Sequence, residues 1–252
     1  MIQVDRLTKV FPDKSRGPIR AVDEVSFEVR GGEIFGLLGP NGAGKTTALR
    51  LLATLLEPTS GTARVGGHDI TAEPDQVRRR IGFLSGDMGL YHRLTGREVV
   101  SFFARLHGWE NQRLAERIEQ VFSLLEIRDF ADRRIDKLSS GMRQRIAIAR
   151  TLVHDPPILI LDEPSYGLDV PTARLIEEFI LSAKRAGKCI LFSTHVMEEA
   201  EYLCDRIAVI SAGEVRSIGT MEELRALTGK QRLREIFLDL LKILGTREEA
   251  RA

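Results

Sequence analysis

The chain has 252 residues, a formal net charge of +1, 43% hydrophobic residues and 29% charged ones. That length carries one large domain or a core with a sub-domain. The near-zero charge excludes a general electrostatic grip on nucleic acid, which needs a clustered positive surface, though it leaves room for a local basic patch.

Two cysteines, Cys189 and Cys204, have neither metal-ligand spacing nor a disulfide framework, and read as core thiols in a reducing compartment. The first nine residues mix polar and apolar side chains, unlike a secretory signal. No apolar run approaches the roughly 20 residues of a membrane helix. The expectation is a cytoplasmic chain; if it serves a membrane, another polypeptide does the spanning.

Taken in order, Val25, Phe27 and Val29 alternate with polar residues, which predicts a half-buried strand. Gly31-Gly32 turns the chain into the apolar run 34–38, a buried strand. The segment Gly39-Pro40-Asn41-Gly42-Ala43-Gly44-Lys45-Thr46 follows, and a helical pattern over 47–56 ends near Pro58 and Gly61. The middle, about 90–152, reads as helical. Leu114, Ile118, Val121, Phe122 and Leu125 share one face, a core stripe. A second buried strand at 158–161 precedes a helix through Leu175, Phe179 and Ala183. Runs 190–192 and 207–210 are further strands, with a hairpin turn at Ala212-Gly213 before 215–218. The tail, 232–244, places Leu233, Ile236, Phe237, Leu240, Leu241 and Leu244 on one face, which suits packing on its own domain or a sister chain better than a membrane surface. Strands alternating with helices predict an α/β core with a mainly parallel sheet.

Residues 39–46 match the phosphate-binding pattern G-x-x-x-x-G-K-[ST] in full. Gly39, Gly42 and Gly44 let the backbone bring amide N–H groups close to phosphate oxygens. The following helix adds its positive end. Lys45 is a point charge for the β- and γ-phosphates, and the Thr46 hydroxyl can ligate Mg²⁺. The strand 158–161 ends in Asp162-Glu163, at the strand end where ligands of open α/β sheets bind. Asp162 can hold Mg²⁺, and Glu163 can orient or deprotonate an attacking water. His195, beyond the strand 190–192, can donate to a γ-phosphate oxygen.

Leu138-Ser139-Ser140-Gly141-Met142-Arg143-Gln144-Arg145 resembles the Leu-Ser-Gly-Gly-Gln signature of the ATPase subunits of ABC transporters, with Ser140 and Met142 replacing its third and fifth residues. Tyr166-Gly167-Leu168-Asp169 is similar to that family's D-loop, Ser193-Thr194-His195 to its switch histidine segment, and Ile158–Glu163 stands as its Walker B strand. The resemblance extends to about Leu227. It implies a P-loop NTPase (RecA-like) core with a mainly parallel sheet, an amino-terminal antiparallel β subdomain and an inserted α-helical subdomain. Residues 1–88 and 153–227 would form the core with its β subdomain, 89–152 the helical subdomain, and 228–252 an amphipathic tail.

For the site, the resemblance implies ATP and Mg²⁺ held by Pro40, Asn41, Ala43 and Thr47 beside the loop residues named above, with Phe11 stacking on adenine and Val22 touching the base. Ser139, Ser140, Gly141 and Met142 would meet the γ-phosphate of ATP bound to a second copy, in a head-to-tail dimer. A separate transmembrane permease is implied, placing the chain on the inner face of the membrane, with no nucleic-acid partner expected.

One departure stands out. Where the family has a metal-linked glutamine, alignment of the strand 81–84 places Gly86, so Asp87 is the candidate substitute ligand. The run 81–94 looks like the subgroup of sodium-extruding bacterial exporters, the NatA-like ATPases, and antibiotic exporters share the short chain form. Soluble relatives acting on DNA or ribosomes fit less well, because those carry a long coiled coil or two ATPase halves. A non-hydrolysing regulatory subunit is disfavoured by the presence of Lys45, Asp162, Glu163 and His195.

Overall fold

A computed structural model describes residues 1–13, 17–86 and 89–248, with side chains as far as residue 241. In chain order, β1 (Ile2–Phe11) and β2 (Ile19–Val29) precede β3 (Ile34–Leu38) and α1 (Lys45–Leu52); β4 (Ser60–Val65), β5 (His68–Asp69), α2 (Pro74–Arg80) and β6 (Ile81–Leu84) follow. The helical middle is α3 (Gly96–Leu106), α4 (Asn111–Leu124) and α5 (Ser140–Leu152). Then come β7 (Ile158–Asp162), α6 (Val170–Arg185), β8 (Cys189–Thr194), α7 (Met197–Leu203), β9 (Arg206–Ser211), β10 (Glu214–Gly219), α8 (Met221–Thr228) and α9 (Leu233–Glu248).

The strands form two sheets. One has the order β2-β1-β4-β5 and is antiparallel; the other has the order β10-β9-β3-β8-β7-β6, parallel except for the β9–β10 hairpin. Strands β3, β7 and β8 are buried at every position, which explains their unbroken apolar runs. Their side chains alternate between two cores. Phe35, Leu37, Ile158, Ile160 and Leu191 face the antiparallel sheet and α1, while Leu159, Leu161, Ile190 and Phe192 face α5 and α6. Phe27 of β2 stacks on Phe35 of β3 at 5.1 Å between ring centroids, joining the two sheets.

The helical middle is interrupted rather than continuous. Thr95 starts α3 with a reciprocal capping box to Glu98. The α4 stripe lies where its periodicity places it, with Leu114, Ile118, Val121, Phe122 and Leu125 all buried. On α6 the stripe is carried by Ile176, Phe179, Ile180 and Ala183, and Leu175 is half-buried beside it. The helix after the phosphate loop is shorter than its pattern suggested. It stops at Leu52, because Ala53 caps it and Thr54 turns left-handed with φ +59.

The tail settles against the body. Leu233, Ile236, Phe237 and Leu240 of α9 are buried with Leu38, Ala200, Val209 and Leu224, and Leu241 packs beside them; the side chain of Leu244 lies outside the described residues. Among the described residues no helix is long and apolar enough to cross a membrane. Because Ile236 is fully buried, Ile236→Ala is expected to destabilise the fold by about 2–5 kcal/mol, read as a lower urea midpoint at unchanged slope.

Candidate active site

The phosphate loop is held at a fixed height by its neighbours. Gly44 caps α1 with φ +102, and a Cβ there would run into the Ala21 carbonyl of β2. A Cβ on Gly39 would meet the Ile210 carbonyl of β9. The β9–β10 hairpin turns through Ala212 (φ +50) and Gly213 (φ +81), the left-handed pair a two-residue hairpin requires. Its tip is tied to the loop: Gly213 N–H donates to the Ala43 carbonyl at 3.0 Å, and Asp23 N–H donates to the Gly213 carbonyl at 2.9 Å. A small cavity of about 150 Å³ runs along Asn41, Gly42, Ala43, Gly44, Lys45, Thr46 and Thr47, closed by Ala21 and Glu163.

Lys45 is 5% exposed. Its ammonium donates to the carbonyls of Gly39 (2.7 Å) and Pro40 (3.2 Å) and lies 3.4 Å from Glu163 Oε1. Thr46 Oγ1 and Ser193 Oγ both donate to Asp162 Oδ1, at 3.1 and 2.7 Å. The Thr46 hydroxyl and the Asp162 carboxylate are hard oxygens side by side at a phosphate loop, a donor set that suits Mg²⁺. Among the described residues no group of three His, Cys, Asp or Glu side chains could hold a metal alone.

Glu163 sits just past β7 with φ +48, a conformation disfavoured for a residue bearing a Cβ. Its N–H is held by the carbonyl (3.2 Å) and hydroxyl (3.1 Å) of Ser193. Its carboxylate lies between Lys45 and His195, with His195 Nδ1 3.1 Å from Oε2. This is close approach without hydrogen-bond alignment, since that nitrogen has no well-directed partner. The Tyr166 ring meets His195 edge to face at 5.3 Å.

The signature segment opens α5. Ser139 Oγ accepts the Met142 N–H at 3.2 Å, capping the helix, while Ser139 and Ser140 remain exposed. Gly141 lies against Thr172 of α6, where a Cβ would come within 3.2 Å of Oγ1. Behind them Gln144 donates to the Pro164 carbonyl at 2.6 Å, fastening α5 to the loop after Glu163. A second cavity, about 400 Å³, is lined by Thr46, Asp162 and Glu163, by Gly86, and by Ser140 and Gln144 of α5, together with residues of the segment after Glu163. Ser139, Gly141 and Met142 are not among its lining residues.

The base contacts expected of Val22 and Phe11 do not coincide with the loop cavity. Val22 is fully buried in the core and offers nothing to a base; Ala21, one residue earlier on the opposite face of β2, borders the loop cavity instead. Phe11 is half-buried at the end of β1, with the Lys9 ammonium over its ring at 5.3 Å, and lines neither cavity. Asp87 lies outside the described residues. Sequence reasoning named Ser193 and Gln144 only within their motif segments, without a role of their own, and passed over Glu199. The only trace of each is a polar residue in or beside an apolar run. Glu199 is buried, its carboxyl group pushed up by desolvation and held by the hydroxyls of Ser165 and Thr194.

Comparison with known proteins gives concordant results. A family model described as ABC transporter matches residues 22–166. The ABC transporter ATP-binding protein NatA of Bacillus subtilis is 43% identical over 96% of this chain and 98% of its own length. The daunorubicin/doxorubicin resistance ATP-binding protein DrrA of Streptomyces peucetius is 41% identical over 92% of this chain and 69% of its own. The dimeric post-hydrolysis structure of the ATP-binding cassette MJ0796, bound to ADP and Pi, superposes with a TM-score of 0.80 at 28% identity, covering 87% of this chain and 98% of that one.

At Gly86 a Cβ would find its nearest neighbours, the Asp162 carbonyl and Oδ2, at 3.9 Å, so a side chain fits. Gly86→Gln is therefore expected to keep stability within about 0.5 kcal/mol of the parent in urea denaturation. It should also lower the Mg²⁺ concentration that half-saturates nucleotide binding, because an amide oxygen joins Thr46 and Asp162.

Proposed function

This chain belongs to the ABC transporter family as an ATP-binding, ATP-hydrolysing motor subunit of an exporter, and from that premise we propose that two copies close head to tail on ATP and drive transport through a separate membrane permease, with sodium as the exported ion. Residues 1–88 and 153–227 act as the ATPase core and 89–152 as the helical part that meets the permease on the inner face of the membrane.

In this reading Lys45 leaves the Gly39 and Pro40 carbonyls for the β- and γ-phosphates, while the loop amides and the start of α1 bind the remaining phosphate charge. Thr46 and Asp162 hold Mg²⁺, which supplies neutralisation of that charge when bound. Glu163 takes the proton of the attacking water as the bond from the γ-phosphorus to the bridging oxygen breaks and ADP leaves with the electron pair. His195 donates to a γ-phosphate oxygen and is kept upright by Tyr166. The exposed Ser139 and Ser140, with Gly141 and Met142, serve the nucleotide of the other copy. Their support is positional: Ser139, Gly141 and Met142 do not line the chain's own cavity, and an exposed capped helix start is free to meet an anion from outside.

The sodium reading rests on the resemblance of the run 81–94 to the sodium-extruding NatA-like subgroup, supported by the 43% identity with NatA over 96% of this chain. Purifying the chain with its permease, reconstituting both in vesicles and following ATP-driven sodium flux tests it. Flux of an anthracycline in place of sodium would move the assignment to drug export. For the chemistry, Glu163→Gln is expected to lower turnover by about 10²-fold or more and to leave an ATP-bound dimer stable in size-exclusion chromatography. Wild-type turnover in that variant would remove Glu163 from the role of base.

A further inference from the structure

Glu199 lies in the first turn of α7, only 7% exposed, and no salt bridge to it is present among the described residues. A buried carboxyl group without a cation carries a desolvation penalty that a leucine or alanine at the same place would avoid. Its neighbours on α7, Ala200 and Leu203, supply the packing. The carboxyl group therefore contributes something other than core burial.

Its two oxygens are both engaged, and by different loops. Oε1 takes the hydroxyl of Ser165, and Oε2 takes that of Thr194 at 2.5 Å. Thr194 Oγ1 in turn accepts the Val196 N–H at 3.0 Å, so that hydroxyl is fixed from both sides. Ser165 stands two residues after Glu163, and Thr194 immediately before His195. Neither hydroxyl reaches the phosphate loop.

We propose that Glu199 is a positioning residue for hydrolysis, clamping the loop that carries Glu163 to the loop that carries His195 through Ser165 and Thr194. The clamp works alongside the hold that Ser193 has on the Glu163 N–H, and it acts on side-chain hydroxyls rather than on the strand backbone. It also reaches Ser165, immediately before the segment Tyr166–Asp169 that resembles the family's D-loop. A shift of that segment on closure would pull Thr194, and so His195, with it. The inference rests on the roles proposed above for Glu163 and His195.

The test measures steady-state ATPase turnover and equilibrium ATP affinity on the full chain. Glu199→Ala is expected to lower kcat about tenfold or more while the affinity for ATP stays within about threefold, because neither Glu199 nor the two hydroxyls it holds bonds the phosphate loop, and the Gly39 N–H is held by the Thr194 backbone carbonyl rather than by its hydroxyl. Ser165→Ala and Thr194→Val should each give part of that loss in the parent and little further loss in the Glu199→Ala background, the non-additivity expected of groups in one network. Glu199→Gln, which keeps the size and one carbonyl oxygen, should fall between parent and alanine variant; it replaces the alanine variant in the cycle if the latter does not fold.

A kcat within twofold of the parent, hydroxyl variants whose effects simply add, or an ATP affinity that falls as far as kcat would each overturn the proposal. Glu163→Gln is run beside them. If it retains turnover, the assignment of the base is at fault; if it abolishes turnover while the Glu199 series is silent, only the clamp is refuted.

Discussion

A single carboxylate oxygen, Asp162 Oδ1, organises the site. It receives the Thr46 hydroxyl from α1 and the Ser193 hydroxyl from β8 while belonging to β7 itself. The phosphate loop, the acidic strand end and the switch segment are thus fastened at one atom. Hydrogen bonds to a charged acceptor are the strong ones, and a buried carboxylate short of donors would be expensive. The arrangement follows from the parallel sheet. β3, β7 and β8 run side by side in the same direction, so their carboxyl ends bring Gly39, Asp162 and Thr194 to one edge.

That geometry explains why much of the site was legible in the sequence. An apolar run buried on both faces, then an abrupt polar residue, marks where a strand leaves the core at the ligand edge; runs 34–38 and 158–161 read that way without any structure. The β2 side of the site did not. The β1–β2 pairing is irregular between Val4 and Leu7, Leu7 and Lys9, and Lys9 and Val10. Each irregularity displaces the two-residue alternation, which is the only signal sequence offers about which side chain faces which way. The expectation for Val22 came from the family resemblance, whereas on this strand Ala21 borders the loop cavity. The roles of Glu199 and Gln144 were invisible for a different reason. Each is a polar residue on a helix, where exposure is the ordinary expectation, and each has a partner 20 or more residues away, Pro164 for Gln144 and Ser165 for Glu199.

The open position at Gly86 changes how the cavity is divided. With no side chain there, the Asp162 carboxylate faces a space of about 400 Å³ that Gln144 and Ser140 enter from α5. The helical part is attached to the loop after Glu163 by the Gln144 side-chain amide, which donates to the Pro164 carbonyl, and Arg150 of α5 reaches across to the Gly89 carbonyl at 3.2 Å. Contact between the Asp162 side of the site and the helices therefore runs through α5 rather than through a side chain at position 86.

Glu163 shows what the surrounding ties accomplish. Its left-handed backbone stores strain of about 1–3 kcal/mol, which persists only where the surroundings over-determine the conformation. Two acceptors from Ser193 hold its N–H, and its own carbonyl accepts the Tyr166 N–H at 3.2 Å. The bend turns the carboxylate out of the strand direction and sets it between Lys45 and His195. A relaxed, extended Glu163 would carry its side chain along the strand's alternation and away from that gap. The strain is thus the physical condition for an acidic group to stand where Lys45 and His195 can both reach it. It also means that any loosening of the loops on either side is felt first at this residue.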